Sequence, residues 1–183
     1  PAVVAFACGA CATAGAAALS VAVSQKTSIA ASLGVSLTIN DIANTVRAAV
    51  EDSQVNSAGT VTVAADSHAE IDSLAFGIGV AVAISSSATA VSVAAIGALS
   101  FNDIDNVIEA TIGDTNPSGN PTGVDADGTV SVTASDDSSI DAIAVAAAAS
   151  IAGSGGGTSV GVSVGLALAI AVARRRGTTR IDD

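Results

Sequence analysis

The chain has 183 residues, half of them apolar, with 17 acids against 6 bases and a net charge of −11. Nucleic-acid binding needs cations that displace phosphate counterions, so this balance opposes it. One His, one Lys and no Tyr or Trp leave few groups for acid–base chemistry, and the sequence predicts a protein that is not an enzyme.

Ala, Val, Ile and Leu supply nearly all of the apolar content, and Phe6, Phe76 and Phe101 are the only aromatics. Globular cores fill irregular space with mixed large and small side chains, whereas a core of small, similar residues suits layers repeated along an axis. Both ends, Pro1 and the charged C-terminus, read as cuts inside a longer protein.

At the N-terminus Cys8 and Cys11 form a C-G-A-C spacing. A redox pair would sit at the strand-to-helix junction of a βαβ unit, and a zinc site needs two further ligands where His68 is the only histidine. Neither context is present, so both cysteines read as small residues in an Ala/Gly run. Leu19, Val21 and Val23 then alternate as in a strand.

The segment Thr27 to Asp52 opens the strongest signal, which is self-similarity. Ile29, Ala31, Leu33, Val35, Leu37 and Ile39 hold period two, and Val91, Val93, Ala95, Gly97, Leu99 and Phe101 take the same places in a copy running from Thr89 to Asp114. Asn40-Asp41-Ile42 aligns with Asn102-Asp103-Ile104, and Asn44 with Asn106, each 62 positions on. Ile42, Val46 and Val50 also fit a helix, but β-branched content predicts a strand with Val46, Ala48 and Val50 inward and Arg47 outward. The opposite face of these strands is Ala, Ser and Gly where a wet face would carry charge, which predicts the close approach of another layer.

Gly59 to Asp72 contains a clean strand, with Val61 and Val63 on one face and Thr60 and Thr62 on the other; Gly128 to Asp141 repeats it 69 positions on. The change of offset by seven places an insertion around Thr115 to Pro121, in a loop where added length is tolerated. A third copy begins at Thr158. Residues 1–183 therefore read as a single repetitive β domain, with units at about 27–88, 89–157 and a partial 158–183. Phe76–Ile84 and Val145–Leu168 look like long antiparallel hairpin arms added to such a stack, and Ala146–Ala149 reads as strand by its place in the repeat. Val160–Ala173, followed by Arg174-Arg175-Arg176, resembles a stop-transfer signal, but its 14 residues fall short of the roughly 20 that span a bilayer, so it reads as a buried strand and the chain as not membrane-spanning.

Chemistry-bearing residues are sparse. The acids Asp52, Asp66, Asp114, Asp136 and Asp137 read as solvated turn residues. Gly153-Ser154-Gly155-Gly156-Gly157 has no Walker lysine and reads as a turn. Calcium is the most credible ligand, with Asp125 and Asp127 as candidates, although the spaced acids of an EF-hand and the nonapeptides of calcium-binding β-rolls are missing. Thr60 and Thr62 recur too sparsely for an ice-binding array.

The phrases Asn40 to Val50, Ala58 to Ala64 and Asp66 to Asp72, with their copies Asn102 to Ile112, Asp127 to Ala134 and Asp136 to Ala142, resemble repeats of giant bacterial surface proteins: filamentous haemagglutinin-like adhesins, autotransporter passenger regions and leukotoxin-like exoproteins. The resemblance implies an all-β, β-solenoid-like stack of the parallel β-helix type. It also implies a secreted or cell-surface location and a structural or adhesive role as a stiff shaft or self-associating fibre. The partners it implies are neighbouring repeats, further copies in an oligomer or filament, and a host or cell-surface ligand. A calcium- or glycan-binding module is the alternative.

Overall fold

The computed structural model describes residues 2–7, 10–115 and 121–181, and for 2–7 and 10–12 the backbone alone. Cys8 lies outside the described residues, and the backbone of Cys11 lies in a strand. Eleven strands follow in chain order: β1 (Ala2–Ala7), β2 (Ala10–Ser24), β3 (Ser28–Glu51), β4 (Gln54–Ser57), β5 (Val61–Ser67), β6 (Glu70–Ser85), β7 (Ala90–Gly113), β8 (Gly123–Ala126), β9 (Val130–Asp136), β10 (Ser139–Ser154) and β11 (Ser159–Ile181). Among the described residues there is no helix. Both segments that also fit helical spacing, Ile42–Val50 and Ala146–Ala149, lie within β3 and β10.

The chain visits the same sheets in the same order on each pass. The sheets run β1-β5-β9, β2-β6-β10, β3-β7-β11 and β4-β8, every ladder is parallel, and no sheet closes into a barrel. Register follows the sequence offsets: Asn40 lies beside Asn102 and Asn44 beside Asn106, 62 positions on, while Val61 lies beside Val130, 69 positions on. The shift from 62 to 69 occurs between the pairs Glu51–Gly113 and Gln54–Gly123, which brackets the insertion. Gln54 reaches into this connection with a 2.7 Å hydrogen bond from its Nε2 to the Pro121 carbonyl. On the shorter pass the corresponding turn is made by Asp52, whose φ of 48° places it in the left-handed region that Asp tolerates better than most residues.

The arms expected as antiparallel hairpins are instead parallel strands, β6, β10 and β11, paired with other passes of the chain. Successive strands such as β2 and β3 do reverse direction, but they face one another through side chains. Three hydroxyls cross this gap: Ser28 Oγ donates to the Ala22 carbonyl (2.8 Å), Ser32 to Ala18 (2.9 Å) and Ser36 to Ala14 (2.9 Å). A turn of three residues, Gln25 to Thr27, thus leads from one layer to the other. Polar, flexible turns look alike in sequence whether the strands they join share hydrogen bonds or side-chain contacts.

The long strands of the β3-β7-β11 sheet face two partners in succession. Their first halves pack on the β2-β6-β10 sheet around Ala30, Ala81, Ala83, Ala90 and Ala94. Their second halves close over the β1-β5-β9 sheet around Val46, Val63, Ile108 and Ile112. Ala69, Ile71 and Ile104 fill the corner between the two regions. Val46 and Ala48 point inward and Arg47 outward, and Val61 and Val63 are buried, as alternation predicts.

In the first region the inward face is the small one. Ser28, Ala30, Ser32, Ser36 and Thr38 are buried, while Ile29 is 68% and Leu33 77% exposed. The same parity holds in β11, where Leu166 is 61% exposed. Val160–Ala173 is therefore strand, as read, but exposed where a buried one was expected: it is the outermost strand of its sheet among the described residues, and its larger side chains face out. No helix of the described residues is long and apolar enough to cross a membrane.

Candidate functional site

The two regions divide the chain's chemistry between them. Strand segments 13–24, 28–40, 73–85, 90–102, 142–154 and 159–173 form a two-layered blade that carries no charged side chain. Its one charge is Lys26, in the turn at its tip. Acids and arginines begin where the blade meets the second region, at Asp41, Asp72, Asp103, Asp141 and Arg174.

Both broad sides of the blade are apolar. On the β3-β7-β11 side the rows Leu33–Ala95–Val164 and Leu37–Leu99–Leu168 run across the three strands. On the β2-β6-β10 side Leu74, Phe76, Ile78 and Ile84 are between 38% and 53% exposed. Single exposed apolar residues are ordinary, whereas contiguous apolar patches are the unusual feature of a protein surface.

At the foot of the blade the interior turns polar. Thr38 Oγ1 and Ser73 Oγ lie 2.9 Å apart, Ser73 and Ser100 Oγ 2.7 Å, and Asn102 Nδ2 donates to Ser100 Oγ at 2.9 Å. Asn40 Nδ2 donates to Asn102 Oδ1 at 2.6 Å, linking the two passes. Beyond Ile104 a second cluster centres on Asn106, which has no exposed surface. Its Nδ2 lies 2.9 Å from Ser138 Oγ, 3.1 Å from Ser67 Oγ, and 3.3 and 3.4 Å from the Asp136 carboxylate oxygens. Ser138 Oγ donates to Asp136, and Arg175 donates to the Ser138 carbonyl. Buried polar groups are costly unless bonded, so this cluster ties strands of the β3-β7-β11 and β1-β5-β9 sheets into one register.

Asp66 and Asp136 thus differ from their reading as turn acids: they lie in β5 and β9, and Asp136 is part of the buried network. Asp52 and Asp114 do lie in the connections after β3 and β7, with Asp52 holding the Thr115 backbone N–H at 3.1 Å. Asp137 is an exposed turn residue 3.9 Å from His68. Ser67 and Ser138 were not singled out by sequence, and Asn106 was read only as the repeat copy of Asn44. Their signal is parity: Asn106 shares the inward face with Ile104 and Ile108, where a polar residue demands partners.

The arginine cluster is explained by neighbouring strands. Arg174 pairs with Asp103 at 3.1 Å and Arg176 with Asp105 at 3.6 Å across β11 and β7, leaving Arg175 to point inward. A cleft of about 240 Å³ lies nearby, among Arg47, Glu51, Glu109, Asp114 and Arg180. Arg47 bridges Glu51 and Glu109 there, 3.5 Å from the latter, so these groups answer one another.

Asp125 lies in β8 and Asp127 in the turn after it, both exposed. The register neighbour of Asp125 is Asn56, and the Asp127 N–H donates to the Ser57 carbonyl at 3.0 Å. The fold brings no further acid to them: among the described residues no group of three His, Cys, Asp or Glu is placed to hold a metal ion.

Comparison with known proteins gives no matching family model, no matching curated protein and no matching solved structure.

Proposed function

We propose that the chain is a non-catalytic structural module of a secreted or cell-surface bacterial protein, built as a parallel β-solenoid in which each pass is one coil. The observation that carries this reading is that seven parallel ladders join equivalent strands of successive passes, with the same inward parity. Stacked coils saturate backbone hydrogen bonds along the axis, which gives a stiff body without a disulfide or a bound ion. The surface location and adhesive role rest on the resemblance of the N-D-I and G-T-V phrases to repeats of giant surface proteins.

The architecture is testable by growing it. Residues 59–127 correspond to one pass, so four extra copies inserted after Asp127 should lengthen the molecule by about 19 Å along the ladder direction at unchanged cross-section, since parallel strands lie about 4.8 Å apart. Small-angle X-ray scattering reads both dimensions, and growth in every direction would sink the reading. A calcium-held module makes a different prediction. With Asp125 and Asp127 exposed and in no group of three potential ligands among the described residues, a chelator should leave the thermal midpoint within about a degree of its value in calcium, and a sharp fall would revive the calcium alternative.

A further inference from the structure

We infer that the outer β3-β7-β11 side of the blade binds the same side of a second copy, with the strands of the two copies antiparallel. This deepens the reading above by naming the partner for self-association, and it rests on that reading for the blade's architecture.

The face has the size such a contact needs. From Ile29 to Ile39 its strands run eleven residues, so three strands make a surface about 36 Å long and about 14 Å wide, roughly 500 Å² in projection. Side-chain relief raises the accessible area above that figure, towards the roughly 800 Å² per partner of a stable interface.

Charge decides the orientation. Lys26 at the tip and Asp41 at the foot are exposed, and neither makes an ion pair among the described residues. They flank the apolar run nearly symmetrically. A two-fold axis over the middle of β3, between Leu33 and Val35, sets Ile29 against Ile39 of the partner copy and brings each Lys26 beside the other copy's Asp41. Parallel packing, about a two-fold axis along β7, would instead set Asp103 against Asp103 and keep each Lys26 at the opposite end from the other copy's Asp41. The antiparallel contact is therefore self-complementary, as a two-fold interface must be.

The test is sedimentation equilibrium of the full chain, with far-UV circular dichroism as the check on folding. The wild type should be a dimer. Leu33→Arg, at an exposed position, should raise the dissociation constant by at least about tenfold at unchanged circular dichroism. Gly97→Lys is the second variant, because an added Cβ there meets nothing closer than 3.7 Å. Lys26→Glu and Asp41→Lys should each weaken the dimer, and the double exchange should restore it. A monomeric wild type, a dimer indifferent to Leu33→Arg, or monomers that co-sediment with neutral phosphatidylcholine vesicles through this face would each overturn the inference. Those results would leave the coil-addition experiment untouched, so the two proposals fail separately.

Discussion

Replacing Ile96 with Ala should lower the unfolding free energy by about 2–5 kcal/mol, the usual cost of a large-to-small change in a core. Ile96 is the one large side chain in the interior of the blade, and only 3% of it is exposed. Its neighbours in the sheet are Gly34 and Gly165. Across the gap it lies against Gly77 and Gly79. A Cβ built on Gly77 would stand 2.5 Å from Ile96 Cγ2, one on Gly34 2.8 Å from its Cδ1, and one on Gly79 would overlap its Cγ1. The isoleucine occupies space that these glycines leave open, and glycines cannot refill it. Gly79→Ala alone should cost about 1–3 kcal/mol through overpacking. In the Ile96→Ala background the same substitution should recover stability, because the methyl group enters the vacated volume. Denaturant titration of the four proteins measures the cycle, and simple additivity would show that the two positions do not share that space.

The second large effect distinguishes two asparagines that sequence treats alike. Asn44 and Asn106 are register neighbours at the same place in consecutive passes. Asn106→Leu should cost about 3 kcal/mol, since it strips the Asp136 carboxylate and the hydroxyls of Ser67 and Ser138 of a shared donor in the interior. Asn44→Leu should be nearly neutral or stabilising. Its Nδ2 is buried without a hydrogen-bond partner, and removing an unanswered polar group costs little. Equal losses at both positions would mean that shape, rather than the hydrogen-bond network, selects asparagine there.

These two sites also mark where reading the residues stops. Strand conformation, the offsets of 62 and 69 and the bracketed insertion were legible, because alternation and repetition are local properties of the chain. The inward face was legible where the long strands cross the β1-β5-β9 sheet, and a layer close to the Ala, Ser and Gly face of the blade was expected, but the exposure of the opposite face was not. In β3 a run of Ile, Leu and Val alternates with Ser, Ala and Gly, and hydropathy favours burying the larger set. The fold buries the smaller set, since only Ala, Ser and Gly let β2 and β3 come close enough for Ser32 Oγ to reach the Ala18 carbonyl. Where the same strand passes over the β1-β5-β9 sheet, larger residues such as Val46 and Ile108 go inside. Parity is thus decided by the layer opposite, which no window of adjacent residues contains. The same holds for Asp136: an acid among serines reads as a turn until Asn106, thirty positions earlier, arrives beside it.

The register has a consequence for reach. Each circuit of the chain takes 62 to 69 residues and advances by a single strand spacing, about 4.8 Å. On the solenoid reading, spanning about 100 Å would take roughly twenty circuits and on the order of 1,300 residues. Such a polymer is wound like thread on a flat card, and it grows in breadth of surface faster than in distance covered. Every added turn also contributes one more greasy row to each flank, so the grip between two such cards should strengthen steeply with the number of turns, through avidity rather than through any new kind of contact.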